Sequence, residues 1–215
     1  ALREVFPDCD EILFDVITLT EEEKVQLQNR LRRKIYEDVF IVYIGIKSGE
    51  IKGYAIITEE VGKFHPYTFI VSADPGGKIR NIAILVYRES RGGEIARKRF
   101  LYQFKGKSLK NPLRINKDII NISGATMSVV TMCTGVKKVL TVIDEFYLSG
   151  KRKDNIASLE KVKFGGEGDE QELTLFKKAT LSMGTVFEIT AYVPDKYKAE
   201  KAFSDVFKEI NRLDH

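Results

Sequence analysis

Few residues in this chain can do chemistry unaided. Its 215 residues include two histidines and two cysteines. His65 and His215 cannot by themselves build a metal cluster, and Cys9 and Cys133 lack the spacing of a metal site. Cys133 lies in an apolar helical pattern and reads as a core thiol. Cys9 sits in a polar stretch and reads as free, with a Cys9–Cys133 disulfide the less favoured alternative. No apolar run reaches the length of a membrane span, and no signal peptide is visible. The 35 Lys and Arg are interspersed with 31 Asp and Glu, and a net charge of +4 makes no case for a nucleic-acid surface. The RLRRK run ending at Lys34 reads as the wet face of a helix. The chain opens at Ala1 without a methionine, so a processed or trimmed product is expected, with any export signal out of view.

What is present is an ordinary globular composition, 43% hydrophobic and 31% charged. A helix is predicted from about Thr20, with Thr20 as cap and Glu23 completing a capping box. "VFIVYIGIKSGEIKGYAIITEE" reads as a hairpin turning at Gly49. "PYTFIVSADPGGKIRNIAILVYRES" repeats the design with a turn at Asp74–Gly77. Residues 39 to 87 are therefore expected to form a four-stranded antiparallel meander. "GGEIARKRFLYQFKGKS" reads as a short helix and a glycine turn. The strongest helical period follows: Val129, Cys133, Val136, Leu140, Ile143 and Tyr147 share one face, widened by Met132, Val139 and Phe146, with an end near Gly150. Residues 151 to 171 are polar and glycine-containing, and read as a linker. Beyond them come two strands, then an amphipathic helix that Asp195 can cap.

The start of the long helix carries the chemistry. In "NISGATMSVV", residues 121 to 130, Gly124 and Ala125 leave little side-chain bulk. Unpaired N–H groups and the dipole at a helix start favour an anion. Ser123 is expected at the N-cap and Thr126 in the first turn, its hydroxyl close to that anion site. On spacing alone, a well-capped and tightly packed helix is the favoured explanation of the pattern, ahead of a binding site.

SGAT, followed one residue later by Ser128, resembles the flavinylation signature of FMN-binding domains. These occur in subunits of the sodium-pumping NADH:quinone reductase and of Rnf complexes, and in smaller extracytoplasmic flavoproteins. The likeness covers roughly residues 35 to 148. It implies an α+β fold, an antiparallel sheet with packed helices, and FMN held by a phosphoester on Thr126. Ser123, Gly124, Ala125, Glu89, Gly92, Gly93 and His65 are then cofactor-side candidates. Glu89 would contact the flavin, and the glycine pair would permit close backbone approach. Gln103, Lys105 and Lys107 are candidate phosphate or ring neighbours. One departure stands out: the family usually has an aspartate three residues before the motif serine. That position here is Ile120, with Asp118 two residues upstream.

"SMGTVFEITAYVPDKYKAEKAFSDVFKEINRLD" resembles the opening of an ApbE-type FAD:protein FMN transferase, with Met183, Gly184 and Thr185 as markers. Magnesium and FAD would belong only to the missing remainder. The expected organisation is an FMN-binding domain at 1–150, a linker at 151–171 and an incomplete ββα transferase start at 172–215. No catalytic residue is expected in the fragment itself. The resemblance implies an extracytoplasmic electron carrier, served by a flavin transferase and exchanging electrons with a partner protein or a quinone-linked membrane complex. The alternative is a non-redox binding or sensory module that holds FMN non-covalently or holds no flavin. Residues 172–215 are too few to fold alone.

Overall fold

A computed structural model describes residues 2–88, 92–152, 159–162, 174–182 and 185–193. They fall into two units, Ala1–Val162 and Lys163–His215. The first unit begins with a short helix α1 (Leu2–Val5), strand β1 (Glu11–Thr18) and helix α2 (Glu21–Leu31). Thr20 caps α2, and Glu23 returns the bond in a complete capping box, as the pattern predicts. Strands β2 (Val39–Lys47), β3 (Glu50–Val61), β4 (Pro66–Ala73) and β5 (Ile79–Tyr87) then run as the expected meander. Asp74 Oδ1 accepts from the N–H groups of Gly76 and Lys78, which closes the β4–β5 turn.

The sheet is wider than the meander. β1 pairs antiparallel with β2, and β6 (Glu160–Lys161), inside the stretch read as a linker, pairs with β1. The order is β5-β4-β3-β2-β1-β6, all antiparallel. This is the α+β architecture expected. In the second unit, β7 (Thr174–Ser182) and β8 (Thr185–Val193) form the two predicted strands and pair antiparallel. Met183, Gly184 and the predicted helix after Asp195 lie outside the described residues.

Period-two alternation gives the sheet two faces. One carries Val42, Ile44, Tyr54, Ile56, Phe69 and Val71 in a single large core. Helix α4 (Thr126–Ile143) covers this face and continues as a π-helical turn, Asp144–Leu148. Every residue predicted for its apolar stripe is buried. The opposite face has a smaller cluster in which Val5 and Phe6 pack on Ile12, Ala55 and Ile70. Cys9 and Cys133 are both free thiols.

Two sequence expectations need correction. Thr126–Leu148, at 23 residues, is long and apolar enough to cross a membrane, but 67% of its most apolar window is buried inside the fold. Its apolarity is that of a helix covering a sheet. Nor is RLRRK a wet helical face. α2 ends at Leu31, Arg32 takes the left-handed conformation, and Arg33 turns inward to Glu60 at 2.9 Å.

Charged contacts fix where α4 lies. Lys138, 1% exposed, meets Glu60 at 2.9 Å and also bonds Glu37. At the helix's far end the Tyr147 hydroxyl donates to Asp15 at 2.6 Å, and Arg152 meets the same carboxylate at 3.0 Å. Buried charges left unpaired are costly, so these bonds admit one register of helix on sheet.

Candidate functional site

The start of α4 lies over one end of the sheet. Tyr67, the second residue of β4, donates its hydroxyl to the Ser128 carbonyl at 2.9 Å and lies 3.0 Å from Thr131 Oγ1. Tyr87, the last residue of β5, has its hydroxyl 3.4 Å from Ser128 Oγ. Gly135 then passes over Glu60 and Phe69, and the Tyr147 ring lies tilted against Tyr54, centroids 4.9 Å apart, near the other end of β3. The first turn of α4 therefore sits where β3 turns into β4 and where β5 runs out. Burial pushes the Tyr67 phenol well above its usual range, so it remains a donor.

The turn before the helix differs from the expectation. Ser123 is exposed and does not cap α4. The cap position is Ala125, and no side chain caps the helix. The reason is the turn itself: the Ala125 N–H donates to the Ile122 carbonyl at 3.0 Å, with Gly124 at φ 81°. That left-handed residue reverses the chain so late that the helix begins only at Thr126. Thr126 is thus the first helical residue, exposed, at a helix start whose N–H groups lack a side-chain acceptor.

Gly92 is brought to the motif. It has φ 81°, and a Cβ built on it would lie 2.9 Å from both Ala125 Cβ and the Tyr87 hydroxyl. Ala125 is 4% exposed in this contact. Gly93, by contrast, starts a 3-10 turn (Gly93–Ala96) and has nothing within 4 Å of an added Cβ. His65 belongs to the turn joining β3 to β4, where its carbonyl accepts from Gly62 N–H at 2.9 Å. That turn is at the same end of the sheet. Glu89 lies outside the described residues.

The segment before the motif packs on the α3 region. Helix α3 (Lys98–Leu101) is followed by a 3-10 turn, Tyr102–Phe104. Gln103 Oε1 accepts from the Ile120 N–H at 2.7 Å, while the Ile120 side chain is 76% exposed. Asp118 is committed elsewhere: its carboxylate accepts from the Arg114 N–H at 2.9 Å and the Leu113 N–H at 3.2 Å, and meets Lys107 at 3.4 Å. Burial opposes its ionisation, but the two N–H groups and Lys107 outweigh that and hold its carboxyl below the usual value. Lys107 is therefore an ion-pair partner of Asp118 and not a free phosphate ligand. Lys105 lies over the Tyr102 ring, 5.5 Å from its centroid.

One functional candidate escaped the sequence. Asn121 Nδ2 donates to Thr126 Oγ1 at 2.9 Å, and Asn121 Oδ1 is buried without a partner. An asparagine two residues before SGAT carries no signature of its own, and only the turn brings it to the threonine. Gln103, Asp118, Ile120 and Asn121 also line a cavity of about 410 Å³. A larger cavity of about 520 Å³ runs along β5, lined by Arg80, Ile82, Lys98 and Tyr102 among others, and neither cavity is lined by a residue of SGAT. Asn121, which bonds Thr126, links the smaller one to the motif. Among the described residues no cluster of three metal-ligating side chains occurs. The Cys133 thiol, buried, is pushed up to about 12 and is no nucleophile.

Comparison with known families matches residues 36–141 to the FMN-binding domain family. Among solved structures, the crystal structure of Shewanella oneidensis NqrC is similar, with a TM-score of 0.50 over 70% of this chain and 88% of that one. The identity is 13%, so this likeness is one of fold. A comparison with curated proteins finds no match.

Proposed function

We propose that this chain is an electron-transfer flavoprotein whose FMN is attached through a phosphoester to Thr126. The observation that carries the reading is the Thr126 hydroxyl: exposed, first in α4, at a helix start that no side chain caps, within a stretch that matches FMN-binding domains. A phosphate there would meet free N–H groups and the positive end of the helix dipole. The other residues fit the same group. Ala125 and Gly92 allow backbone to approach closely, and Asn121 Oδ1 is a buried acceptor without a donor. FMN, when bound, supplies one- and two-electron chemistry. The chain's part is to hold the phosphate, seat the ring and set its surroundings.

Attachment needs a flavin transferase. Thr126 Oγ would form a bond to the flavin-side phosphorus of FAD, the pyrophosphate P–O bond would break, AMP would leave, and the hydroxyl proton would pass to a base on the transferase. The resemblance of residues 182–214 to the start of such an enzyme suggests that the parent chain attaches its own flavin. An extracytoplasmic location and exchange of electrons with a membrane complex follow from the same family reading.

A specific observation supports a second reading. Ile120 presents an exposed apolar side chain at the usual aspartate position, and Asp118 is already saturated. A domain that holds FMN without a covalent bond would need no such acid. Co-expression with an active transferase separates the two. The covalent reading expects a gain equal to FMN minus water in the intact mass, and none in Thr126→Val. Modified Thr126→Val would refute it, and flavin released by denaturation would favour the second reading.

A further inference from the structure

We propose that Asn121 positions the Thr126 hydroxyl for flavin attachment, acting as a hydrogen-bond donor. The inference rests on Thr126 being the attachment site. Among the described residues, Asn121 is the one whose side chain bonds the Thr126 hydroxyl. Its neighbours are excluded by their own commitments. Ile120 is apolar, exposed and held through its N–H by Gln103. Asp118 is occupied by two backbone N–H groups and Lys107.

The geometry suits the step. A threonine side chain has three staggered rotamers, and a fixed donor on Oγ1 selects one of them. The Nδ2–H engages one lone pair, which leaves the O–H and the remaining lone pair for the incoming phosphorus and the base. As the proton leaves, the amide dipole faces the charge developing on Oγ1. Asn121 Oδ1 is buried and unpartnered, and an unmade bond at a buried acceptor is destabilising, so packing alone gives no reason for an amide at this position. In this chain, where residue 120 has no acid, the side chain that bonds the reacting hydroxyl sits one residue later.

The test uses the full chain, a purified flavin transferase, FAD and Mg²⁺, with intact mass as the rate assay and thermal unfolding in parallel. Asn121→Leu removes donor and acceptor at similar volume, while Asn121→Asp keeps an acceptor and cannot donate at neutral pH. Both are expected to lower kcat for attachment about 10-fold, the effect of one lost hydrogen bond, with KM for the chain within about two-fold. Asn121→Leu should unfold at or above the wild-type temperature, because it removes an unpaired buried oxygen. Wild-type kcat in either variant overturns the inference, as does a rate loss in Asn121→Leu matched by a fall in unfolding temperature. If the wild-type chain gains no mass, the Thr126 assignment falls and this inference with it. If it gains mass and Asn121→Leu keeps pace, only the role of Asn121 falls.

Discussion

Substituting Gly92 tests whether the loop after β5 is packed onto the motif. Two penalties apply to Gly92→Ala. The backbone at φ 81° is left-handed, which costs an alanine about 1–2 kcal/mol. The new methyl would also lie 2.9 Å from Ala125 Cβ and from the Tyr87 hydroxyl, and overpacking of this kind costs about 1–3 kcal/mol. The sum is about 3 kcal/mol, read by guanidinium denaturation of the full chain as a lower midpoint. Gly124 and Gly93 supply the controls. Gly124 has φ 81° with nothing within 4 Å of an added Cβ, so Gly124→Ala should show the strain alone, about 1–2 kcal/mol. Gly93 has neither a positive φ nor a close neighbour, so Gly93→Ala should be neutral or gain about 0.4–1 kcal/mol. The order Gly92 over Gly124 over Gly93 is the prediction. Equal losses at Gly92 and Gly93, or a larger loss at Gly124 than at Gly92, would refute the packing of Gly92 on Ala125.

Lys138→Met should destabilise the first unit by about 3 kcal/mol, because Glu60, 8% exposed, loses one of the two cations that meet it at 2.9 Å, and Glu37 loses the Lys138 ammonium as well. The double variant Lys138→Met, Glu60→Leu should recover part of that loss in the same denaturation assay; a single-variant loss below about 1 kcal/mol would count against the buried pair. Stability should also fall in acid. Burial would raise the Glu37 carboxyl, but Lys138 outweighs it and holds the group below its ordinary 4.5. A depressed carboxyl contributes stability that is fully present above 4.5 and lost as pH falls through the lower folded value. Unfolding temperatures measured from pH 7 to pH 3 should therefore drop less steeply below 4.5 in Glu37→Gln than in wild type, and parallel profiles would contradict the assignment.

The meander was legible because local chemistry and hydrophobic period agree. Asp74 sits where its carboxylate can hold two N–H groups, and Thr20 and Glu23 stand three residues apart at a helix start. The long helix was legible for the same reason, with every stripe residue buried. β1 and β6 were not. β1 carries Asp15 among its apolar residues, a position that looks like a break until Arg152 and Tyr147 arrive from 132 and more residues away. β6 is two residues long and takes its conformation from β1. Partners so distant in sequence leave no local period to read.

The proposed site draws its residues from a motif the sequence displays, and its geometry from a turn the sequence does not. SGAT reads as serine cap plus helix, yet the left-handed Gly124 spends Ser123 on the turn and moves the helix start to Thr126. That shift matters chemically. A capping serine would occupy the first N–H groups of α4 and compete with a phosphate for them, whereas an uncapped start leaves them to an anion beside the Thr126 hydroxyl. The small residue before it has a separate cause, since Ala125 is buried against Gly92 and any bulk there meets that glycine. Each residue of the tetrapeptide thus answers a different physical demand: Ser123 is carried exposed on the turn, Gly124 makes it, Ala125 packs against Gly92, and Thr126 presents the hydroxyl. Ala125→Val isolates the third demand. It should push Gly92 away and slow the proposed attachment while leaving the Thr126 hydroxyl in place, so a variant modified at the wild-type rate would show that the Gly92–Ala125 contact takes no part in seating the flavin.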